Sequence, residues 1–587
     1  MALVNIQING QPYQVDSSLT VLEAARKCGY EIPSLCAFNH GKCSLASCRV
    51  CLVEVVGARG LVASCAYPVN EGMQIITHSQ KAIEARRASV ELILSNHEKN
   101  CLQCPKNGHC ELLHVAEMVG ARDKKYVGVM SEKTVDELAP GLVRNTAKCI
   151  LCGRCIERCK EAHGISILGF ENRGFRTIVA PAQNRSFAKS PCLQCGQCVI
   201  VCPTGALMEH SEIEKVDAAF KAGKKVIVQP APAVRAAIAE EFGEKIGTVG
   251  TGKMVAALRR LGFYRVFDVN FGADLTIMEE AHELLERMTK NTGPLPQLTS
   301  CSPGWINYLE YFYPELIPHL STCKSPHMMQ GAITKTYFAK SHNIPKEDIF
   351  VVSIMPCTAK KYEASRKEMP EDVDAVLTTR ELAKLIKHAG INWQKLPEEE
   401  FDQDLLGEYS GAGVIFGVTG GVMEAALRTA YFWLTGEEYK KIDFHEVRGL
   451  EGIKEATLNI KGTEVSVAVC SGMVNAKKLL DEVKSGKSKY AFIEVMCCPG
   501  GCINGGGQPY VHPSLLPNED LDILDTYRAK RASVLYSEDE RQVIRQSHNN
   551  KDIQKLYKDF LGEPGSELAE ELLHTSYDKK RERYPSK

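Results

Sequence analysis

Hydrophobic and polar positions alternate with a period of two at the N-terminus and then change to a helical period. Residues 3–8 and 12–15 alternate on either side of Asn9-Gly10, which predicts a β-hairpin. Ser17 and Ser18 precede LTVLEAARKCG and are candidate N-caps of a short helix that ends at Gly29. The pattern predicts a small α+β domain over residues 1–78.

From residue 79 the pattern is helical, and it then repeats. KAIEARRASVELILSNHEKN carries apolar residues at helical spacing, so residues 79–120 are predicted to be mainly helical. Residues 140–210 contain two copies of one cysteine pattern, which is an internal repeat.

Beyond residue 220, buried strands are predicted to alternate with helices. The apolar runs are KKVIVQPAPA, YRVFDVNFG, IFVVSIMPC, AVLTT, GVIFGVTGG, VSVAVCSG and YAFIEVMCC. They predict an α/β domain over residues 220–514, followed by a charged helical segment over residues 515–587. We therefore expect a multidomain protein of α+β and α/β modules packed directly on one another.

Composition and charge exclude several classes of protein. The 587 residues are enough for about four domains, and 44% hydrophobic with 24% charged residues is typical of globular proteins. A net charge of −1 argues against nucleic acid or a membrane surface as the main partner. We find neither a long apolar run nor a basic and apolar leader, so we expect no spanning helix, no secretory signal and a cytoplasmic location.

Cysteine is the outlier, with 24 residues, of which 17 precede Pro203 in short regular groups. Such spacing in a reducing compartment indicates metal ligands. The first group contains a C-x2-C pair and suits a 2Fe–2S cluster held by Cys36, Cys48, Cys51 and Cys65. Cys43 is an alternative member, because Cys43, Cys48 and Cys51 match the plant-type ferredoxin spacing. A structural zinc site is the other alternative.

Two further groups follow. The second suits a 4Fe–4S cluster, or on spacing alone a zinc ion, and comprises His97, Cys101, Cys104 and Cys110. The third repeats the bacterial two-cluster ferredoxin run, in which the fourth cysteine binds the other cluster. It predicts one 4Fe–4S cluster on Cys149, Cys152, Cys155 and Cys202, and another on Cys192, Cys195, Cys198 and Cys159.

A nucleotide site is not expected in this chain. Gly247-x4-Gly252-Lys253 begins like a phosphate-binding loop, but Met254 stands where the loop needs Ser or Thr to bind magnesium. No G-x-G-x-x-G unit follows a predicted strand, so a flavin or dinucleotide site is not expected either.

Three later segments carry the remaining candidate chemistry: TSCSPGW at 299–305, MPCTAKK at 355–361 and EVMCCPGGCINGGGQ at 494–508. The last two follow apolar strands, where α/β folds gather their ligand-binding groups. Taken singly, each could be only turn residues and buried thiols. Together they resemble the active-site domain of the iron-only, or FeFe, hydrogenases. The first 210 residues also resemble the large iron–sulfur subunit of respiratory complex I.

The resemblance implies five parts: a β-grasp 2Fe–2S ferredoxin domain (1–78), a His-ligated 4Fe–4S domain (79–120), a two-cluster 4Fe–4S ferredoxin domain (140–210), an α/β hydrogenase catalytic domain (220–514) and a small-subunit-like helical segment (515–587). The implied cofactors are one 2Fe–2S cluster, three accessory 4Fe–4S clusters and an H-cluster. The H-cluster is a 4Fe–4S cluster joined to a diiron unit with carbon monoxide, cyanide and an azadithiolate. The implied reaction interconverts H2 with protons and electrons in an anaerobic setting.

Site residues follow from the resemblance by position. Cys357, Cys498 and Cys502 would bind the catalytic 4Fe–4S cluster, with Cys502 bridging to the diiron unit. Cys301 would begin a proton relay that continues outward through Glu280, Ser321, Glu283 and Arg287. Lys360 would hydrogen-bond a cyanide ligand, and the pocket would be walled by Pro232, Met355, Phe416 and Met496.

The chain departs from the family pattern beside this pocket. Ser302 stands where the family usually has the cysteine that is the fourth ligand of the catalytic 4Fe–4S cluster. Cys497 and Cys301 are alternative sources of that sulfur, and Cys323 is a further extra thiol. Two smaller departures lie near the diiron position: His327 replaces a common glutamine, and Ala233 replaces a common serine.

The implied electron partner is ferredoxin or a flavoprotein that handles NAD(P), and dedicated maturation factors would install the diiron unit. Three other interpretations stay open at this point. They are a low-turnover hydrogen sensor, a non-catalytic protein like the hydrogenase-like cluster-assembly factors, and a complex-I-like electron-transfer subunit.

Overall fold

The computed structural model describes residues 2–38, 45–122, 126–369, 371–438, 447–449, 452–460, 463–510 and 523–580. The N-terminal part is a sheet of order β2-β1-β5-β3-β4 with one helix, in which β1 and β5 run parallel. The predicted hairpin at Asn9-Gly10 is present. The elements are β1 (Leu3–Ile8), β2 (Gln11–Asp16), α1 (Val21–Lys27), β3 (Leu52–Val55), β4 (Val62–Ala63) and β5 (Gln74–Ile76).

Thr20, and not Ser17 or Ser18, caps helix α1. The Thr20 hydroxyl accepts the backbone N–H of Glu23, and the Glu23 carboxylate accepts the Thr20 N–H at 2.8 Å. This reciprocal arrangement needs Glu or Gln three residues after the cap, which neither serine has. The predicted cap was therefore wrong by two or three positions.

The cysteine-rich middle of the chain is built from short elements. Two helices, α2 (Gln80–Ser95) and α3 (Glu111–Met118), enclose a loop. The repeat region follows as β6 (Val135–Asp136), β7 (Leu142–Asn145), α4 (Arg154–His163), β8 (Gly169–Glu171), β9 (Ile178–Ala180), α5 (Gln197–Val201) and β10 (Leu207–Glu209). Arg154 ties these parts together: it is paired with Glu111 at 2.9 Å and donates to the Ala37 carbonyl at 3.2 Å.

The α/β part contains two four-stranded sheets. One, β12-β11-β14-β15, is wholly parallel, and the other, β13-β18-β17-β16, is parallel except for the β16–β17 pair. The strands are β11 (Lys225–Pro230), β12 (Arg265–Val266), β13 (Gln297–Leu298), β14 (Ile349–Met355), β15 (Ala375–Thr378), β16 (Ile453–Ile460), β17 (Thr463–Ser471) and β18 (Phe492–Met496).

Helices cover both sheets, and the largest hydrophobic core lies around the first. They are α6 (Ile213–Lys221), α7 (Pro232–Arg235), α8 (Thr251–Arg260), α9 (Val269–Lys290), α10 (Pro303–Phe312), α11 (Pro326–Ile333), α12 (Ala339–Ser341), α13 (Ala359–Ala364), α14 (Thr379–His388), α15 (Gly411–Val414), α16 (Gly421–Thr435) and α17 (Met473–Lys484).

The apolar run GVIFGVTGG was predicted as a strand and is helical. Helix α15 continues into a 3-10 turn at Ile415–Gly417. The run is buried on all sides, and a short buried helix and a buried strand are equally apolar, so periodicity does not separate them. Gly413 packs against α9 so closely that a Cβ would lie 2.6 Å from the Asn270 carbonyl oxygen.

The C-terminal segment consists of α18 (Ile523–Arg541), α19 (Lys551–Leu556) and α20 (Glu567–Leu573), packed on the α/β part. Arg531 of α18, for example, pairs with Glu240 at 2.6 Å. Among the described residues, none of the helices combines the length and the apolar character that crossing a bilayer requires.

Candidate functional site

Four cysteines of the N-terminal part lie together. Cys36 is within hydrogen-bonding reach of Cys48 and Cys65, and Cys51 is within reach of Cys65. Three of the four are buried and Cys48 is half-buried. The alternative member, Cys43, lies outside the described residues.

The second group occupies the loop between α2 and α3. His97 follows the C-cap residue of α2, and Cys110 is the N-cap residue of α3. Burial, assisted by the charge on Lys148, lowers the pKa of His97 to about 4, so its ring is neutral, as a metal ligand must be. Cys101 is exposed, and Cys104 and Cys110 are half-buried.

The repeat region encloses two cavities, each lined by four cysteines. One is lined by Cys149, Cys152, Cys155 and Cys202. The other is lined by Cys159, Cys192, Cys195 and Cys198. Each set combines three cysteines of one copy of the repeat with the fourth cysteine of the other copy, the partition that the spacing predicts.

The three later segments meet at a single cavity, which is larger than either cavity of the repeat region. Four strands from both sheets end there: Pro232 follows β11, Cys301 follows β13, Cys357 follows β14 and Cys498 follows β18. Parallel strands that end at one edge bring their following loops together, so distant segments line a single space.

The cavity wall is rich in thiols and otherwise mainly apolar. Its cysteines are Cys195, Cys301, Cys357, Cys497, Cys498 and Cys502, and its other predicted members are Pro232, Ala233, Ser302, His327, Met355, Lys360, Phe416 and Met496. Buried thiolates are the donors that iron–sulfur clusters take, so this donor set fits the catalytic 4Fe–4S cluster that the resemblance implies. The mainly apolar remainder of the wall suits the attached diiron unit.

Glycines allow the loop after Cys502 to pack closely on the loop after β14 and on the repeat region. A Cβ at Gly505 would lie 2.1 Å from the Pro356 carbonyl oxygen, and one at Gly506 would lie 2.2 Å from the Cys195 carbonyl oxygen. Only a residue without a side chain permits such approaches. This close packing places the large cavity beside the smaller cavity of the repeat region, and Cys195 lines both of them.

Glu280 of α9 lies on the Cys301 side of the cavity. It is 1% exposed, and neither carboxylate oxygen accepts a well-formed hydrogen bond from any described residue. Burial, reinforced by Glu283 and Glu494 and opposed by the nearby Ser321 hydroxyl, raises the pKa of Glu280 to about 8. Its carboxyl is therefore mainly protonated at neutral pH and can donate a proton.

The other predicted relay residues continue from Glu280 toward the surface. The Ser321 hydroxyl donates to Glu283 at 2.7 Å, and Arg287 donates to the same carboxylate at 2.6 Å. The Glu283 side chain is 15% exposed, whereas that of Arg287 is 6% exposed. Cys323 lies beside this group, with its sulfur 4.0 Å from a Glu283 oxygen, and it is not among the residues that line the large cavity.

Lys360 and His327, two further residues of the cavity wall, share one carboxylate. Glu363 accepts from Lys360 and approaches the His327 ring, each at 2.7 Å. Although burial opposes ionisation, these two neighbours hold the pKa of Glu363 at about 2. Burial, with the charge on Lys360, lowers the pKa of His327 to about 4, so its ring is neutral.

Sequence reasoning did not select three residues that the structure places in or beside the site. Glu363 follows Lys360 by three residues on α13, a spacing that puts both on one face. His163 follows Cys159 by four residues on α4, and its ring nitrogen lies 3.1 Å from the Cys195 sulfur. Glu494 accepts the backbone N–H groups of Gly420 and Met423, which no local pattern indicated.

Five family descriptions match successive parts of the chain. They are a 2Fe-2S iron-sulfur cluster binding domain (1–80), the NADH-ubiquinone oxidoreductase-G iron-sulfur binding region (86–125), a 4Fe-4S dicluster domain (148–206), the C-terminal domain of the iron only hydrogenase large subunit (224–506) and the iron hydrogenase small subunit (525–580).

Similarity to known proteins extends over the whole chain. It is 48% identical to the NADP-reducing hydrogenase subunit HndD of Solidesulfovibrio fructosivorans, over 99% of this chain and 100% of that protein. It is 43% identical to iron hydrogenase 1 of Clostridium pasteurianum, over 98% and 100% respectively.

A solved structure of FeFe hydrogenase HydA1 from Chlamydomonas reinhardtii matches 63% of this chain and 99% of its own length, with 42% identity and a TM-score of 0.55. The predicted fold class and the predicted resemblance are confirmed by these matches. Since whole-length relatives and successive domain matches agree, the chain belongs to the iron-only, or FeFe, hydrogenases and is an oxidoreductase whose iron–sulfur domains serve electron transfer.

Proposed function

We propose that the chain interconverts H2 with protons and electrons at the large cavity and passes the electrons through four accessory clusters. One observation carries this proposal. Cys357, Cys498 and Cys502 line a single apolar cavity that also holds Cys301 and touches the cysteine-lined space of the repeat region at Cys195. A redox site, a proton donor and an electron exit thus lie side by side.

The accessory ligands are proposed from the four cysteine groups. A 2Fe–2S cluster is assigned to Cys36, Cys48, Cys51 and Cys65, and a 4Fe–4S cluster to His97, Cys101, Cys104 and Cys110. The two cavities of the repeat region each take one 4Fe–4S cluster. These assignments divide the chain into the domains 1–78, 79–120, 140–210, 220–514 and 515–587.

Within the large cavity, Cys357, Cys498 and Cys502 would hold the catalytic 4Fe–4S cluster, with Cys502 at the bridge to the diiron unit. When bound, this cofactor supplies the iron centre at which H2 is formed and split. Lys360, held by Glu363, places a cation at the wall to face an anionic ligand. The remaining wall excludes water and is formed by Pro232, Ala233, Met355, Phe416 and Met496.

Protons are proposed to move along the groups that lead away from Cys301. Burial is the main reason that the pKa of the Cys301 thiol is raised, and the nearby Glu280 carboxylate raises it further. From Glu280 the path continues through Ser321 to Glu283, with Arg287 holding the Glu283 carboxylate. A carboxyl whose pKa is near 8 can both give and take a proton close to neutral pH.

The electron partner is proposed to be ferredoxin or an NAD(P)-linked flavoprotein. The HndD relative, which matches the entire chain, is named an NADP-reducing hydrogenase subunit. That name supports an NADP-linked partner for this chain as well. The N-terminal 2Fe–2S domain is the proposed docking part, and maturation factors are proposed to deliver the diiron unit.

The other interpretations are not favoured. A cluster-assembly protein or a complex-I-like subunit would leave the Cys301, Glu280 and Lys360 arrangement without a use. A low-turnover hydrogen sensor would share the site and differ only in rate. Hydrogen evolution from reduced methyl viologen separates these roles. Rapid evolution by anaerobically matured protein is expected, and its absence from a sample whose clusters are all intact would refute an enzymatic role.

A further inference from the structure

The large cavity offers more sulfur donors than the three proposed ligands. A 4Fe–4S cluster takes four cysteines, and Cys357, Cys498 and Cys502 supply three. Two more cysteines from the same part of the chain line this cavity, Cys301 and Cys497, together with the hydroxyl-bearing Ser302. The positions of these three residues decide which of them completes the cluster.

Cys301 lies toward the proton-carrying side. The charged groups that influence its thiol include Glu280, Lys360 and Glu494. Its backbone carbonyl accepts from Lys360 at 3.1 Å, which fixes the chain at this point. This thiol is therefore placed to exchange a proton with Glu280.

Cys497 lies beside two other thiols of the cavity wall. It is 4% exposed, and its thiol is within hydrogen-bonding reach of both Cys498 and Cys195. The ligand atoms of Cys497, Cys195 and His163 all lie within 4.8 Å of one another. Its sulfur is thus beside a proposed ligand of the catalytic cluster and a proposed ligand of the adjacent accessory cluster.

The backbone at the start of α10 leaves room for the Cys497 sulfur. A Cβ at Gly304 would lie 2.7 Å from the Cys497 sulfur, so the glycine makes room for it. The Ser302 hydroxyl already accepts the Cys497 backbone N–H at 3.2 Å. The serine therefore holds the segment that carries Cys497.

We propose that Cys497 supplies the fourth thiolate of the catalytic 4Fe–4S cluster, and that its sulfur and the Cys195 sulfur form the contact through which electrons pass between the catalytic and the adjacent accessory cluster. The proposal rests on the function proposed for the large cavity. On ligation the thiol loses its proton to solvent, as cluster ligands do. Each transfer moves one electron from one cluster to the other, and no bond is made or broken.

His163 contributes to the same contact. Its ring nitrogen Nε2 lies 3.1 Å from the Cys195 sulfur and can donate a hydrogen bond to it. Two thiolates placed so closely repel each other, and a donated hydrogen bond reduces the negative charge on one of them. The arrangement of His163, Cys195 and Cys497 therefore fits two adjoining cluster ligands.

The test uses the full-length chain produced without diiron maturation and reconstituted with iron and sulfide. Iron per chain and the electron paramagnetic resonance spectrum of the reduced protein are measured for four variants. Cys497→Ala is expected to lose about four iron atoms and the signal of the catalytic cluster. Ser302→Ala is expected to retain both. The double variant Cys497→Ala with Ser302→Cys is expected to regain them, because residue 302 lines the same wall.

The fourth variant, Cys357→Ala, separates the two proposals. If it loses the cluster while Cys497→Ala keeps it, the Cys497 assignment is overturned and the cavity assignment stands. If Cys357→Ala also keeps all its iron, the proposed function of the cavity fails. An undisturbed 2Fe–2S signal in each variant shows that the N-terminal domain has folded, and undisturbed accessory 4Fe–4S signals show the same for the repeat region beside the cavity. Loss of the accessory signals with no rescue by Ser302→Cys would also overturn the Cys497 assignment.

Discussion

Glu280 shows what burial does to a single carboxyl. It has no well-formed hydrogen bond from any described residue, and two further carboxylates lie nearby, so its ionised form is disfavoured and its pKa rises to about 8. A group that is protonated in the folded state at neutral pH is suited to proton transfer, and it also makes the folded state sensitive to pH.

Replacing Glu280 by Gln is expected to lower hydrogen evolution about 100-fold or more while leaving iron content unchanged, because an amide cannot pass the proton on. Glu286→Gln is the matched control, since that residue lies on the same helix and pairs with Lys290. Equal activity in the two variants would remove Glu280 from the proton path.

The same variant changes the pH dependence of stability. The folded-state pKa of Glu280 exceeds its ordinary value of 4.5, so the folded state binds more protons than the unfolded state between about pH 4.5 and 8. This group therefore makes the free energy of unfolding fall as pH rises through that range, by up to about 1.4 kcal/mol per pH unit. The thermal midpoint of Glu280→Gln, measured relative to that of the unsubstituted protein, should therefore increase as the pH rises from 5 to 8. A constant difference would contradict the raised pKa.

Helices and loops determine which of these groups meet. Helix α9 carries Glu280, Glu283 and Arg287 at spacings of three and four residues, so the sequence could predict that they share a side. The two cysteine sets of the repeat region were equally predictable, because short fixed spacings allow few ways to surround a cluster.

The approach of Cys497 to Cys195 could not be predicted in this way. It depends on how the loop after β18 packs on a different module, which is a long-range contact without a local pattern. The prediction of a strand for GVIFGVTGG was wrong for a related reason. Burial on all sides removes the alternation of apolar and polar residues by which a strand is told from a helix.

Helix α13 places Lys360 and Glu363 one turn apart and buries both. Glu363→Gln leaves the Lys360 charge without its carboxylate partner and is expected to destabilise the protein by about 3 kcal/mol. Lys360→Met combined with Glu363→Gln should recover part of this loss. Thermal unfolding of the unmatured protein measures both. A double variant that is no more stable than the single one would mean that this ion pair is not the source of the effect.

The glycine loop provides a test at the junction of two modules. Gly506→Ala introduces a Cβ 2.2 Å from the Cys195 carbonyl oxygen, so backbone must move. We expect a loss of about 3 kcal/mol in stability and a reduced iron content. Gly169→Ala is the control, because that glycine lies in the repeat region that Gly506 contacts and its added Cβ meets no atom within 4 Å. Similar stability of the two variants would contradict the close packing described for this loop.

In the whole molecule, the cysteine groups and the large cavity are arranged one after another, from the N-terminal part to the α/β part. Contacts join its parts, as when Gln197 of the repeat region donates to the Asn504 carbonyl at 2.7 Å and Thr358 donates to the Gln194 carbonyl at 2.6 Å. Module order could be predicted from the sequence because each module has its own cysteine spacing. The way in which the modules share walls required the structure.

The most direct test of a hydrogenase active site in the large cavity is the infrared spectrum of anaerobically matured protein, recorded first under argon and then under hydrogen. We expect carbon monoxide and cyanide bands that shift when hydrogen is admitted, since the cavity would hold an assembled and responsive diiron unit despite Ser302. Absence of these bands from protein that accepted the maturation treatment and kept its accessory clusters would contradict the assignment of the large cavity as a hydrogenase active site.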